Sequence, residues 1–171
     1  MSNIMIAYYS RKGENYCNGQ IRNLTKGNTE VVAEMIQELT DGDSFEIETL
    51  QPYPENYQKC TEVAMQELES QARPLLKSYP GGVQEYNTIF LGYPNWWGTM
   101  PMAVFSFLEN YDLKGKTIIP FCTNEGSGMG HSESDLKKLA KGAKVLNGLA
   151  IHGTEAAQAK SQVQAWLKNV L

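Results

Sequence analysis

Thr88-Ile89-Phe90-Leu91-Gly92-Tyr93-Pro94-Asn95-Trp96-Trp97-Gly98-Thr99-Met100-Pro101 is the stretch that decides the fold. Thr88 to Tyr93 is a nearly continuous apolar run of β-branched and aromatic residues, the composition of a strand covered on both faces. A short apolar helical segment, Met102 to Glu109, follows the loop. A strand buried on both sides needs helices above and below it, and a parallel sheet with crossover helices provides them.

The same alternation extends outward in both directions. Further strand-like runs lie at Ile4 to Tyr9, Ser44 to Leu50, Thr117 to Phe121 and Lys144 to Ile151. Between them, Val31, Val32, Met35, Ile36 and Leu39 recur at helical spacing, and that helix is expected to stop at Thr40-Asp41-Gly42 on the glycine. Asn56 to Gln71, Ser134 to Ala140 and Glu155 to Leu171 read as the other helices. Five strands alternating with helices predict an α/β fold: a doubly wound, five-stranded parallel sheet with helices on both faces. The second strand alternates Phe45, Ile47 and Thr49 with Glu46 and Glu48, which suits an edge and gives the order 2-1-3-4-5. The long interval Gln51 to Gly82, punctuated by Pro52, Pro54, Pro74 and Pro80, reads as a helix with extended connections. Residues 1–171 are therefore expected to form one domain.

Composition narrows the function. With 171 residues, 42% hydrophobic and 20% charged, the chain can bury a full core and is not disordered in character. Met1-Ser2-Asn3 leads directly into an apolar strand, so neither a secretory signal nor a membrane span is expected, and the expected location is cytoplasmic. A net charge of −4 argues against nucleic acid. Lys137, Lys138, Lys141 and Lys144 read as a solvated helix face and the residues beyond it. Cys17, Cys60 and Cys122 are too few and too irregular for a disulfide framework or zinc site, and His131 and His152 form no metal-binding spacing, so no metal is expected. Cys17 falls in an insertion and is expected near the surface, Cys122 is expected to be a buried small hydrophobe, and His131 a surface residue.

In a doubly wound sheet, the loops after strands one, three and four converge on one crevice. The first contains Ser10 and, after an insertion, Lys26-Gly27-Asn28-Thr29 at the start of a helix. Free N–H groups and the positive dipole end there favour a phosphate, although ordinary capping would use the same residues. The second holds Trp96 and Trp97 between Pro94 and Pro101; at most one indole can enter the core, and a rigid aromatic wall suits a planar heterocycle. The third, Cys122-Thr123-Asn124-Glu125-Gly126-Ser127-Gly128-Met129-Gly130, mixes glycines with hydrogen-bonding side chains. It fits the edge of a pyrimidine-like ring, or simply a turn before the next helix. Together they describe a phosphorylated planar heterocycle, and FMN fits best.

Leu91 to Pro101 resembles the corresponding loop of short flavodoxin-like FMN proteins, as does Ile119-Pro120-Phe121-Cys122-Thr123-Asn124-Glu125-Gly126-Ser127-Gly128. Gly27-Asn28-Thr29 is similar to the end of the flavodoxin phosphate loop. The resemblance implies that Ser10, Arg11, Gly27, Asn28 and Thr29 hold the FMN phosphate, with Thr25 and Lys26 nearby. Pro94, Asn95, Trp96, Trp97 and Gly98 would flank the isoalloxazine. Thr123, Asn124, Glu125, Gly126 and Gly128 would meet its pyrimidine edge or other face. The sixteen residues between Ser10 and Gly27 depart from the uninterrupted loop usual in that family.

The function so implied is electron transfer between redox partners, with the protein setting the flavin's potential. A peptide near Gly98 is expected at flavin N5, and the tryptophans, Glu125 and the net negative charge would lower the potential. The alternative is a small FMN-dependent NAD(P)H:quinone-type oxidoreductase. Gly126-Ser127-Gly128-Met129-Gly130 is a poor dinucleotide fingerprint, which favours the carrier. Partners are expected to be redox proteins or a small-molecule acceptor.

Overall fold

The computed structural model describes residues 3–171. Its central sheet contains β1 (Ile4–Tyr8), β4 (Asp43–Glu46), β5 (Thr88–Pro94), β6 (Thr117–Asn124), β7 (Lys144–Val145) and β8 (Leu149–His152). The order is β4-β1-β5-β6, and β7 and β8 share the next position. Every pairing in this sheet is parallel. This is the expected 2-1-3-4-5 arrangement, with the second strand at an edge.

The period-two alternation of the strands sorts side chains into two cores. Met5, Ala7 and Tyr9 of the first strand point with Ile89, Leu91 and Tyr93 toward α3 (Met102–Glu109) and Leu136 of α4 (Ser132–Leu139). Ile6 and Tyr8 point with Phe90 and Phe121 toward α1 (Asn28–Thr40) and α5 (Lys160–Val170). The apolar stripe of α1 is buried at Val32, Ala33 and Ile36. The remaining helix, α2 (Tyr57–Ser70), is capped by Asn56, whose side chain accepts from the Lys59 N–H.

Several details correct the sequence reading. The left-handed residue that ends α1 is Asp41, with φ 57°, and Gly42 serves a different need: a Cβ there would lie 2.6 Å from Ile6 Cδ1. The last helix does not run continuously from Glu155; a 3-10 segment, Gly153–Gln158, precedes α5.

The fifth strand is interrupted, and Pro120 supplies the reason. Ile118 of β6 accepts from Leu146 N–H, so the next group of β6 facing that way is the nitrogen of Pro120, which carries no hydrogen. Pairing stops there and resumes one residue out of step, Ile118 opposite Val145 but Phe121 opposite Leu149. The extra residue is a bulge.

The insertion after Ser10 forms an antiparallel hairpin, β2 (Gly13–Cys17) and β3 (Gln20–Leu24), that pairs with no strand of the central sheet. Asn18 and Gly19 make its turn with φ 49° and 84°. An Asn-Gly pair of positive φ is the type I′ signature, whose twist matches that of a two-stranded ribbon. Cys17 lies under the tip, 3% exposed, contrary to the expected surface position. Lys137, Lys138, Lys141 and Lys144 are exposed. No helix among the described residues is long and apolar enough to cross a membrane.

Candidate cofactor site

The loops beyond β1, β5 and β6 meet at the carboxyl edge of the sheet. Thr29 and Thr123 join the first to the third through their hydroxyls, 2.8 Å apart. Asn95 joins the second to the third: its N–H donates to Thr123 O and its Nδ2 to Gly128 O, each at 2.9 Å. A cavity of about 480 Å³ opens among them.

At one end stands the N-terminus of α1. Ser10 Oγ accepts from Glu30 N–H at 3.0 Å, so a residue on another element caps the third helical position. The two N–H groups before it, of Asn28 and Thr29, have no partner among the described residues. Both residues line the cavity. Gly27 is excluded from carrying a side chain by packing: a Cβ would sit 2.2 Å from Ser10 Oγ and 2.6 Å from Arg11 O. Ser10 and Thr25 face a neighbouring groove instead, and Lys26 pairs with Glu34 in solvent.

The aromatic wall divides as the sequence demands. Trp96 turns inward, edge-to-face with Tyr9 and Tyr53 at 5.2 and 5.1 Å. Trp97 stays 49% exposed and anchors its indole N–H on Thr61 O at 3.0 Å. Trp96 and Thr99 are bonded across a two-residue turn in which Trp97 and Gly98 both have positive φ, 55° and 88°. Asn95 Oδ1 accepts from Gly98 N–H, and Gly98 O accepts from His131 N–H. The Trp97 carbonyl meets no donor among the described residues and is free to face a ligand. His131 is exposed, with Nδ1 2.9 Å from Asp135 Oδ2.

The third wall is Thr123, Asn124, Glu125 and Ser127. Gly126, Gly128 and Gly130 all have positive φ. Gly130 also permits a close approach, since a Cβ there would lie 2.2 Å from Gly98 O. Gly98, Gly126 and Gly128 shape the loops without lining the cavity. The Glu125 carboxylate lines the cavity and accepts from Asn18 N–H, Thr154 N–H and the Thr154 hydroxyl.

A fourth wall comes from the insertion and from α2. Asn15 and Tyr16 come from the hairpin, and Tyr57, Gln58, Cys60 and Thr61 from α2. Tyr16 and Tyr57 stack at 6.4 Å with their rings 30° apart. The Asn18-Gly19 pair was the available signal for the hairpin; nothing in the sequence indicated that α2 would reach this edge.

Two charged residues line the cavity, Arg11 and Glu125. Arg11 donates to Glu14 O, Pro54 O and Glu55 O, tying the hairpin base to the chain before α2. Burial raises the Cys60 thiol, against the opposing pull of the Arg11 guanidinium, and pushes Cys122 up to about 12. Both thiols are therefore held protonated near neutrality.

A doubly wound sheet with two unpartnered helix N-terminal N–H groups, an aromatic wall and a polar loop at its switch point defines a nucleotide-type cofactor protein. The flavodoxin family model matches residues 23–170, and the chain belongs to that family. A flavoprotein candidate from Bacteroides eggerthii superimposes with a TM-score of 0.76 at 29% identity, covering 99% of this chain and 98% of its own. A second candidate, from Bacteroides uniformis, gives 0.74 at 27% identity, with 98% of both chains covered. A Lactobacillus acidophilus flavoprotein in complex with FMN shares the fold, with a TM-score of 0.66 at 20% identity over 92% of this chain and 98% of that one. No curated protein matches the sequence.

Proposed function

We propose that this chain binds FMN non-covalently in the 480 Å³ cavity and carries electrons between redox partners. One observation carries the reading: a single cavity runs from the unpartnered N–H groups of Asn28 and Thr29 to the exposed face of Trp97. The first end suits a phosphate and the second a flat ring system, the two ends of FMN.

Bound FMN supplies the electron-transfer chemistry. The residues of the chain hold and orient it. Asn28 and Thr29 donate backbone N–H groups to the phosphate, and Arg11 adds its positive charge from the hairpin base. Trp97 would cover a face of the ring, and the Trp97–Gly98 peptide would offer its carbonyl to the ring edge. Thr123, Asn124 and Ser127 provide polar atoms for the pyrimidine end.

The carrier reading is favoured over a stand-alone NAD(P)H:quinone reductase by the charge of the lining. Arg11 is the one cation there among the described residues, and it is already engaged by three carbonyls. A second, dinucleotide-sized anion would find no free guanidinium or ammonium in this cavity.

Purified apoprotein titrated with FMN tests the reading. The expected result is stoichiometric uptake that survives gel filtration, with no rapid turnover of NADH or NADPH against a quinone. Loss of the flavin on the column overturns FMN binding. Rapid turnover by the protein alone overturns the carrier role and leaves the reductase.

A further inference from the structure

The hairpin β2–β3 roofs the cavity and is held at its base and at its tip, with the Tyr16–Tyr57 stack and the buried Cys17 between them. At its base, Arg11 and Glu14 tie it to the segment before α2, with Glu14 Oε1 accepting from Tyr57 N–H at 2.8 Å. At its tip, the ties run through the Glu125 carboxylate and through His152. Glu125 Oε1 accepts from Asn18 N–H at 2.7 Å, and the same group is held by Thr154 through its N–H at 3.1 Å and its hydroxyl at 2.7 Å. His152 Nε2 stands 3.0 Å from Asn18 Oδ1 and 3.3 Å from Glu125 Oε2, so it faces two acceptors. Between base and tip, Asn15 and Tyr16 line the cavity itself.

We propose that the hairpin is a lid over the cofactor cavity and that the Glu125 carboxylate is its latch, whose release opens the tip to admit or free the ligand. The inference rests on the FMN reading for the identity of the ligand, while the latch itself stands on the contacts of the protein. Opening the tip requires that Asn18 leave Glu125 and His152, that Cys17 come out of its buried position and that Tyr16 leave Tyr57, but it breaks no strand pairing with the central sheet. Glu125 remains held by Thr154 throughout, preset for closure. The carboxylate is thus a positioning residue for the lid.

The test uses Glu125→Gln and Thr154→Val in the full chain. Glu125→Gln keeps the shape but removes the charge and points an amide NH2 at existing donors; Thr154→Val takes one donor from the carboxylate. Hydrogen exchange of the Asn18 amide in the apoprotein reads the latch directly. In Glu125→Gln it is expected to rise by about tenfold or more, with a smaller rise in Thr154→Val. FMN association and dissociation, followed by flavin fluorescence, are both expected to accelerate by about tenfold while Kd changes less than about threefold. Unchanged Asn18 exchange in both variants overturns the latch. Faster dissociation with unchanged association also overturns it, since that pattern makes Glu125 a direct ligand contact. Failure of the unaltered protein to take up FMN would sink the cofactor reading alone, and the exchange data would still judge the latch.

Discussion

Gly92, in the middle of β5, has the Phe121 ring where a side chain would begin: an added Cβ would lie 2.2 Å from the ring's Cζ. Phe121 is fully buried and has no room to withdraw. Gly92→Ala is therefore expected to lower stability by about 1–3 kcal/mol, read as the shift of the urea unfolding midpoint. Gly81→Ala, where nothing lies within 4 Å, should stay within about 0.5 kcal/mol of the parent in the same measurement. Gly98 is constrained differently. Its φ of 88° is one that side chains rarely adopt, and a Cβ would stand 3.3 Å from the His131 ring. Gly98→Ala should disturb the Trp97–Gly98 peptide and shift the potential of the FMN-loaded protein by tens of millivolts, where about 59 mV per electron is a tenfold change in equilibrium. An identical potential would remove this peptide from the proposed flavin contacts.

Among the elements, the hairpin and the fifth strand show how local chemistry departs from the plain alternation of strands and helices. The hairpin is self-contained, with its own type I′ turn and ladder. Excising residues 12–25 joins Arg11 to Lys26 and removes no strand of the central sheet. The shortened protein is expected to keep cooperative thermal unfolding, because neither core draws on residues 12–25. Its FMN affinity should fall by about tenfold or more, since Tyr16, Asn15 and the lid are lost, and a fluorescence titration would measure it. Loss of cooperative unfolding would show the hairpin to be integral to the fold. The fifth strand departs for a reason visible at Pro120, whose missing donor faces it. Gly148 then fits the bulge because a Cβ would meet Met129 and Pro120.

Across the whole molecule, the three thiols respond to pH together. Cys17, Cys60 and Cys122 are all buried, and burial raises each thiol, Cys122 to about 12. Their ionisation is thus favoured in the unfolded chain once the pH passes the ordinary thiol range. The unfolded state then binds fewer protons than the native state, and stability falls as pH rises. Stability should be flat to about pH 8 and decline up to about pH 12, by as much as 1.4 kcal/mol per pH unit for each ionising group. Urea midpoints at successive pH values would show the decline. Cys122→Ala should flatten the alkaline limb; a limb equally steep in that variant would show that Cys122 has no part in it.

The alternation of apolar runs and helical stripes determined the sheet, its order and the crevice, because burial on both faces leaves parallel crossovers as the solution. The same logic allowed at most one of Trp96 and Trp97 into the core, and packing decided that Trp96 turns inward and Trp97 stays out. The insertion after Ser10 was legible too, but not the hairpin it forms. Position, partnership and enclosure came from tertiary structure. Glu125 was expected at the ring edge, and the structure adds its bonds to Asn18 and Thr154, across 107 and 29 residues of chain. Gly27 was expected beside the phosphate, and the structure adds that Ser10 and Arg11 leave no room there for a side chain. Periodicity reports which way a side chain faces along its own element; which distant group it meets is fixed only when the elements pack.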